Sequence, residues 1–194
     1  MCTTYSGILV TPENSNVPTL HDIAVSLGRS WRWEGSTHRL WTTLHHSVAG
    51  CILAEKLGQS ADVQAGFLLH DAHECITGDI PRPTKVLLGP VVRDIQDTLD
   101  LRFFRYYDLP NTCTIWPALA YLDDAVLYAE ASLLFPPGQF PKEIVFLKPI
   151  QEALDSVQFV LREYPEYEDS MDPNGRLVLH YLKLLKARSV VDAA

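Results

Sequence analysis

The sequence of 194 residues has little cysteine and lacks an excess of positive charge. The four cysteines are scattered and form no CxxC pair, which argues against a zinc ribbon and against a disulfide framework. Lysine and arginine number 16 against 24 aspartates and glutamates, so the net charge is -8. Because no basic surplus is left to cover a phosphate backbone, we expect no nucleic-acid polymer as a partner.

Long apolar runs are missing as well. No stretch reaches about eighteen uninterrupted apolar residues, and the N-terminus lacks a basic segment followed by an apolar run. We therefore expect no membrane partner and a reduced, cytoplasmic protein. With 47% hydrophobic and 21% charged residues, the composition is typical of one compact domain, which we expect to span residues 1–194.

Strand-like alternation is scarce, whereas helical spacing recurs along the chain. Apolar side chains repeat at intervals of three and four, as in Leu44, Val48, Cys51 and Ile52, in Val92, Ile95, Leu99, Phe103 and Tyr106, and in Ile150, Leu154, Val157 and Leu161. Ser60 is a good N-cap and Gly78 a good helix stop, which predicts a helix over residues 61–77. The sequence predicts an all-α fold, a single helical bundle.

The segment HDAHECITGDIPRPTK at residues 70–85 carries titratable side chains where a helix usually buries apolar ones. On a helix over residues 61–77, His70 and Glu74 lie one turn apart on one face, and Asp71 lies about 100° round the axis. Imidazole nitrogen and carboxylate oxygen suit divalent first-row ions. His70 and Asp71 therefore predict part of a metal site.

Two other helices can complete such a site. His46 has the inward phase of its helix, beside the small residues Ala49 and Gly50, which permit close helix approach. Asp123 shares an inward, largely apolar stripe with Glu130, and an aspartate there is costly unless it is paired or bound to a cation. Together with the pair above, these residues supply two nitrogens and two carboxylates from three helices.

This order of ligands in an all-helical chain resembles the HD-domain metal-dependent phosphohydrolases. The resemblance is closest to the small bacterial 5'-deoxynucleotidases and the phage-type dNTP hydrolases, whose HD-x-x-E-x-x-x-x-D-x-P-x-P-x-K motif is similar to residues 70–85. Upstream, RWEGSTHRLWTTLHHS is similar to their R-[FW]-x-G-x-T…HS stretch. The likeness covers about residues 20–135, and the expected C-terminal helices at about 149–190 match only in kind.

The resemblance implies that His46, His70, Asp71 and Asp123 bind Co²⁺, Mn²⁺ or Zn²⁺, with Mg²⁺ as a candidate second ion. Two neighbours keep the ligand set open. His45 is the alternative to His46, which is the histidine followed by serine. Asp124 is the alternative to Asp123, which lies seven residues before Glu130 as in similar sequences.

The resemblance also implies roles around the metal. Glu74 matches an acid that positions or activates the attacking water, and Asp79 matches one placed near the leaving oxygen. Arg32 matches an arginine that grips phosphate, and Lys85 is a further phosphate contact. Trp33 matches an aromatic residue that packs beside the sugar, where it can exclude a ribose 2'-OH.

Two parts of the long motif lie outside the set of ligands and acids. The Pro81-Arg82-Pro83 stretch predicts a rigid loop that passes the mouth of the site, because proline fixes φ and disfavours helix. His73 is expected at the surface or behind the ligands, since its place in the motif is variable.

The expected activity is metal-dependent hydrolysis of deoxynucleoside 5'-phosphates, either a dNTP such as dATP or a dNMP. The expected partner is this small-molecule nucleotide, and the protein is expected to form a homo-oligomer. One alternative is a phosphodiesterase that acts on cyclic or linear dinucleotides. Another is a non-catalytic nucleotide-binding HD module, against which the acids Glu74 and Asp79 argue.

Overall fold

A computed structural model describes residues 2–11, 14–110, 112–136, 139, 150–165 and 171–192. Within these ranges the chain is mostly helical, which confirms the predicted all-α class. The helices are α1 (Leu20–Leu27), α2 (Thr43–Lys56), α3 (Ala61–Leu69), α4 (Glu74–Thr77), α5 (Arg82–Leu88), α6 (Pro90–Tyr106), α7 (Thr112–Leu134), α8 (Gln151–Glu163) and α9 (Arg176–Ala187), with a 3₁₀ turn at Arg32–Gly35. A short antiparallel pair joins β1 (Cys2–Thr3) to β2 (Leu9–Val10). Over these ranges no helix combines the length and the apolar character that crossing a bilayer requires.

Helix α2 lies at the centre of the bundle and contacts α3, α7, α8 and α9. Nearly all its side chains are buried, as expected for a helix covered on all sides. A Cβ added at Gly50 would lie 1.9 Å from Cε1 of Phe67 on α3, so glycine is what lets these two helices approach. The predicted role of small residues in α2 is confirmed at this position.

The predicted single helix over residues 61–77 is wrong. Helix α3 ends at Leu69, and a tighter turn follows in which the amide of Ala72 donates to the carbonyl of Leu69 at 3.0 Å. The carbonyl of Phe67 accepts from the His70 imidazole at 2.7 Å, so a side chain satisfies a carbonyl group at the end of the helix. The chain then re-enters helix as α4.

Helix boundaries elsewhere follow local signals. The Ser60 hydroxyl accepts from the amide of Val63 and caps α3, and Gly78, with φ 74°, follows α4, as expected. The predicted loop at residues 81–83 is wrong, because α5 begins directly after Pro81. Pro83 lies in the first turn of α5, where an amide hydrogen has no partner within the helix and its absence costs little.

Helix α6 buries a different face from the expected one. Ile95 and Tyr106 are 49% and 43% exposed, whereas Leu99 and Phe103 are buried as predicted and Gln96 is buried as well. The helix contacts α3, α5 and α7. An apolar repeat therefore located the helix but placed part of its inward stripe wrongly.

Candidate metal centre

The four expected metal ligands come together where α2, the turn after α3 and α7 meet. The Nε2 atom of His46 lies 3.2 Å from Oδ1 of Asp123 and 3.8 Å from Oδ2 of Asp71. The Nε2 atom of His70 lies 3.3 Å from the same oxygen of Asp71. Ligand atoms about 2.1 Å from a tetrahedral ion lie about 3.4 Å from one another, so these separations fit one cation.

Both imidazoles present Nε2 to this point because Nδ1 is held elsewhere. Nδ1 of His70 lies 2.7 Å from the Phe67 carbonyl, which can only accept, so this nitrogen donates, and in the neutral ring Nε2 carries the lone pair. Nδ1 of His46 lies 2.7 Å from Oε1 of Glu130. No hydrogen bond of normal geometry reaches either Nε2 among the described residues, although both atoms are buried and Nε2 of His46 lies 3.2 Å from Oδ1 of Asp123. Buried polar atoms are rarely left unpaired, and a divalent ion would satisfy both.

Glu130 is the supporting residue that the sequence analysis did not assign. It is fully buried on α7, and its Oε1 also accepts from Nε1 of Trp41 at 2.8 Å. Its Oε2 accepts from Nε of Arg32 at 3.2 Å. Metal-binding histidines usually donate their other ring nitrogen to a carboxylate or a carbonyl, which is the arrangement seen at His46. The available signal was a glutamate on the inward stripe of α7, where a buried carboxylate needs donors.

The electrostatics of the site favour bound positive charge. Burial and the Arg32 charge lower the pKa of His46, but Glu130 and Asp123 outweigh them and raise it to about 9. Burial would raise the pKa of Asp71, yet the neighbouring histidines and Arg32 hold it below its usual value. The field that holds a proton on His46 also attracts a divalent cation.

The two expected proton-handling acids lie beside the ligands. Glu74 is buried at the start of α4, and the Thr43 hydroxyl donates to its Oε2 at 2.9 Å. Burial, together with the charges of Asp71 and Asp79, raises the pKa of Glu74 to about 8. Burial also raises the pKa of Asp79. Both carboxyl groups therefore bind protons more tightly than free carboxyl groups do, as acid and base catalysts require.

A cavity of about 570 Å³ opens over the site, which is within the usual range for small-molecule pockets. The expected substrate-binding residues all lie on its wall. The lining comprises Arg32, Trp33, Glu34, Asp71, Glu74, Asp79, Ile80, Pro81, Arg82, Pro83, Lys85, Val86, Asp123 and Leu127. The sequence-derived metal, acid and phosphate residues are thus gathered around one space, apart from the two histidines beneath it.

The turn that carries Arg32 and Trp33 has an unusual backbone. Trp33 and Glu34 have φ values of 58° and 48°, in the left-handed region that favours glycine. The amide of Arg32 donates to the carbonyl of Trp41 at 2.9 Å, and the Trp33 ring packs edge-on against Phe135 at 5.2 Å. Tertiary contacts thus hold a strained turn at the cavity, as is common at functional sites.

The two alternative ligands lie outside the cluster. Nδ1 of His45 accepts from the amide of Thr42 at 3.2 Å, and the ring stacks on Trp41, so this histidine caps α2. Asp124 lies 3.7 Å from Nη2 of Arg82, and the Asp124 side chain is 46% exposed. The geometry therefore favours His46 and Asp123, which both reach the cluster.

His73 is not a surface residue. Its residue exposure is 5%, and its Nδ1 lies 2.8 Å from Oδ1 of Asp100 on α6. Of the two expected positions, at the surface or behind the ligands, the structure excludes the first. The side chain points from the turn after α3 toward Asp100 on α6.

The described residues therefore form a site able to hold a divalent ion at the base of a cavity with cationic side chains on its wall. The chain was compared with models of protein families and with curated proteins, and nothing matches it in either comparison.

Proposed function

We propose that the protein is a metal-dependent phosphohydrolase of the HD-domain kind, acting in the cytoplasm on deoxynucleoside 5'-phosphates. The observation that carries the proposal is the meeting of two imidazole Nε2 atoms and two carboxylates at the base of a cavity. His46 and His70 supply the nitrogens, and Asp71 and Asp123 supply the oxygens. Arg32 and Lys85 on the same wall suit an anionic ligand.

The charge of the cavity wall supports a metal as part of the site. Five carboxylates and three cationic side chains line it, which leaves an excess of two negative formal charges. A phosphate would be repelled by such a wall. A bound divalent cation cancels the excess, and so a phosphorylated ligand becomes acceptable once the ion is present.

The lining residues can then share the work of hydrolysis. A divalent ion supplies Lewis-acid chemistry by polarising a phosphoryl oxygen, which makes the phosphorus more open to attack by water. Glu74 positions the attacking water and accepts its proton, and Asp79 gives a proton to the leaving oxygen. Arg32, held by Glu130, and Lys85 offset the charge that develops on the phosphoryl group.

Trp33 supports the deoxyribose preference. The Trp33 ring lines the cavity and packs against Phe135. This contact fixes the position of the ring in the cavity wall. Trp33→Ala should open space for a 2'-OH and reduce the ratio of deoxyribonucleotide to ribonucleotide turnover. An unchanged ratio in a variant that still turns over nucleotide would show that Trp33 does not read the sugar.

A substrate panel tests the proposal directly. Chelator-treated protein reloaded with Co²⁺, Mn²⁺ or Zn²⁺, with and without Mg²⁺, is incubated with dNMPs, dNTPs including dATP, their ribose counterparts, and cyclic and linear dinucleotides. Release of phosphate, pyrophosphate or triphosphate from the deoxynucleotides is expected. If only the dinucleotides are hydrolysed, the protein is a phosphodiesterase and the proposal is wrong. If none of these compounds is hydrolysed, the interpretation that remains is a non-catalytic nucleotide-binding module.

Variants separate ligands from proton carriers. His70→Ala should abolish turnover and remove one bound ion, whereas Glu74→Ala should keep the ion at His46 and His70 while the rate falls by 10²- to 10⁴-fold. Asp124→Asn is the matched control, because this neighbouring carboxylate lies outside the cluster. Full metal content and full rate in His70→Ala would show that the ligands are misassigned.

Exposed apolar side chains on α5 and α6 support the expected homo-oligomer. Val86, Leu87 and Val91 are 75%, 87% and 63% exposed on two helices that contact each other. A surface of this kind is more often covered by a partner than left in water. Light scattering should give a mass above that of one chain, and Leu87→Glu should lower it.

A further inference from the structure

We propose a second divalent-cation site, formed by His73, Asp71 and Glu74, that adjoins the first site and shares Asp71 with it. One ring nitrogen of His73 and one carboxylate oxygen from each of the two acids lie within 4.8 Å of one another. This grouping is separate from the one made by His46, His70 and Asp123. The proposal rests on the metal centre of the proposed function, because one ligand is common to both ions.

The His73 side chain is held in the manner of a metal ligand. Nδ1 is engaged by Asp100 at 2.8 Å, so Nε2 is the nitrogen left to bind. That Nε2 is buried and has no hydrogen-bond partner in the part of the chain that the structure describes. His46 and His70 show the same division, with Nδ1 held by an oxygen and Nε2 unpaired. A carboxylate behind an imidazole orients the ring and strengthens it as a ligand.

A cation can reach this position from the cavity. Asp71 and Glu74 both line the cavity, whereas His73 is buried and is not part of the lining. Oε2 of Glu74 accepts from the Thr43 hydroxyl at 2.9 Å, which orients the carboxyl group. Glu74 would then help to hold the ion at the cavity wall.

The charge of the cavity bears on how a polyphosphate could bind. One divalent cation cancels the excess of two negative formal charges on the wall, and a second reverses it. With both ions bound, the formal charge of the wall would be positive, which suits a polyphosphate. Two cations also hold both the attacking and the leaving oxygen in phosphoryl transfer. A ligand set of one imidazole and two carboxylates suits Mn²⁺, Co²⁺ or Zn²⁺ better than Ca²⁺.

Metal stoichiometry tests the second site without reference to activity. Chelator-treated full-length protein is titrated with Mn²⁺ alone or Co²⁺ alone, and bound metal per chain is measured by calorimetry and elemental analysis. The wild-type chain should bind two ions. His73→Asn, which keeps a donor for Asp100, should bind one, and His70→Ala should bind one at the other position. His38→Ala, which removes an exposed histidine, should still bind two.

Two further measurements test the second site. Mn²⁺-loaded wild-type protein should give the electron paramagnetic resonance spectrum of two coupled ions, which requires no variant to fold. Asp100→Asn should weaken the second ion by about 10- to 100-fold and leave the first unchanged. One ion per wild-type chain at saturation, or two ions in His73→Asn, would overturn the second site. Two ions without turnover would instead remove the proposed hydrolase function and leave the second site standing.

Discussion

Replacing Glu130 by glutamine should weaken both the metal centre and the fold. The carboxylate accepts from His46 and Trp41 through one oxygen and from Arg32 through the other. A glutamine can keep its oxygen toward His46 and Trp41, but its NH₂ group then faces the Nε donor of Arg32. The buried guanidinium loses a charge-assisted hydrogen bond, which costs about 1.5–3 kcal/mol.

The same substitution acts on the metal through His46. Without the negative charge behind Nδ1, the imidazole is a weaker and less firmly oriented ligand. Loss of such a supporting carboxylate lowers metal affinity by about 10- to 100-fold, or about 1.4–2.7 kcal/mol. Calorimetric titration with Zn²⁺ or Co²⁺ measures the affinity, and urea unfolding of the chelator-treated protein measures the stability.

Asp124→Asn is the control for Glu130→Gln, because it removes a carboxylate from the same helix. Asp124 pairs only loosely with the exposed Arg82, and such pairs contribute about 0–1 kcal/mol. We expect its metal affinity to stay within about twofold of the wild-type value, a difference of less than about 0.5 kcal/mol. If Glu130→Gln is folded and binds metal as tightly as the wild type, the idea that Glu130 orients His46 is refuted.

Three other outcomes are expected. In metal-free protein His46 keeps its proton up to a pKa of about 9, whereas in the unfolded chain it loses the proton near 6.5. Stability should therefore fall as the pH rises from 6.5 to 9, and a urea midpoint that stays level would contradict this. Gly50→Ala should destabilise the fold by about 1–3 kcal/mol and weaken metal binding, because the new methyl group displaces Phe67, whose ring lies against His46. Unfolding and titration midpoints equal to those of the wild type would show that α2 and α3 can move apart without cost. Trp41→Phe should cost about 1–3 kcal/mol in urea unfolding, since Glu130 loses a buried donor, and no loss would mean that another donor takes its place.

Local periodicity placed His46 and Asp123 on the inward faces of their helices, whereas the choice against His45 and Asp124 stayed open in the sequence. Both lie on helices whose apolar residues repeat every three or four positions, so the phase of each side chain follows from its neighbours alone. Gly50 was predictable for the same reason, since a small residue on an inward face marks a close helix contact. The catalytic and substrate roles of Glu74 and Arg32 stay predictions.

Contacts between distant segments decided the features that the sequence analysis missed. Helix α3 ends at Leu69, where the His70 ring donates a hydrogen bond to a backbone carbonyl. The spacing of apolar residues cannot predict that bond. The burial of His73 follows from its pairing with Asp100, 27 residues later on α6. The support from Glu130 likewise needs α7 docked against α2. Periodicity describes one helix at a time and gives no information on contacts between side chains of different helices.

The meeting of residues 46 and 123 at one point also bears on how long the protein survives in a cell. An ion bound there ties together two helices that are distant in sequence, and it can do so only in the folded state. A free ion at a hundred times its dissociation constant adds about 2.7 kcal/mol to the free energy of unfolding. Chains that lack metal would therefore unfold more often and be degraded sooner, so the abundance of the protein would follow the metal supply.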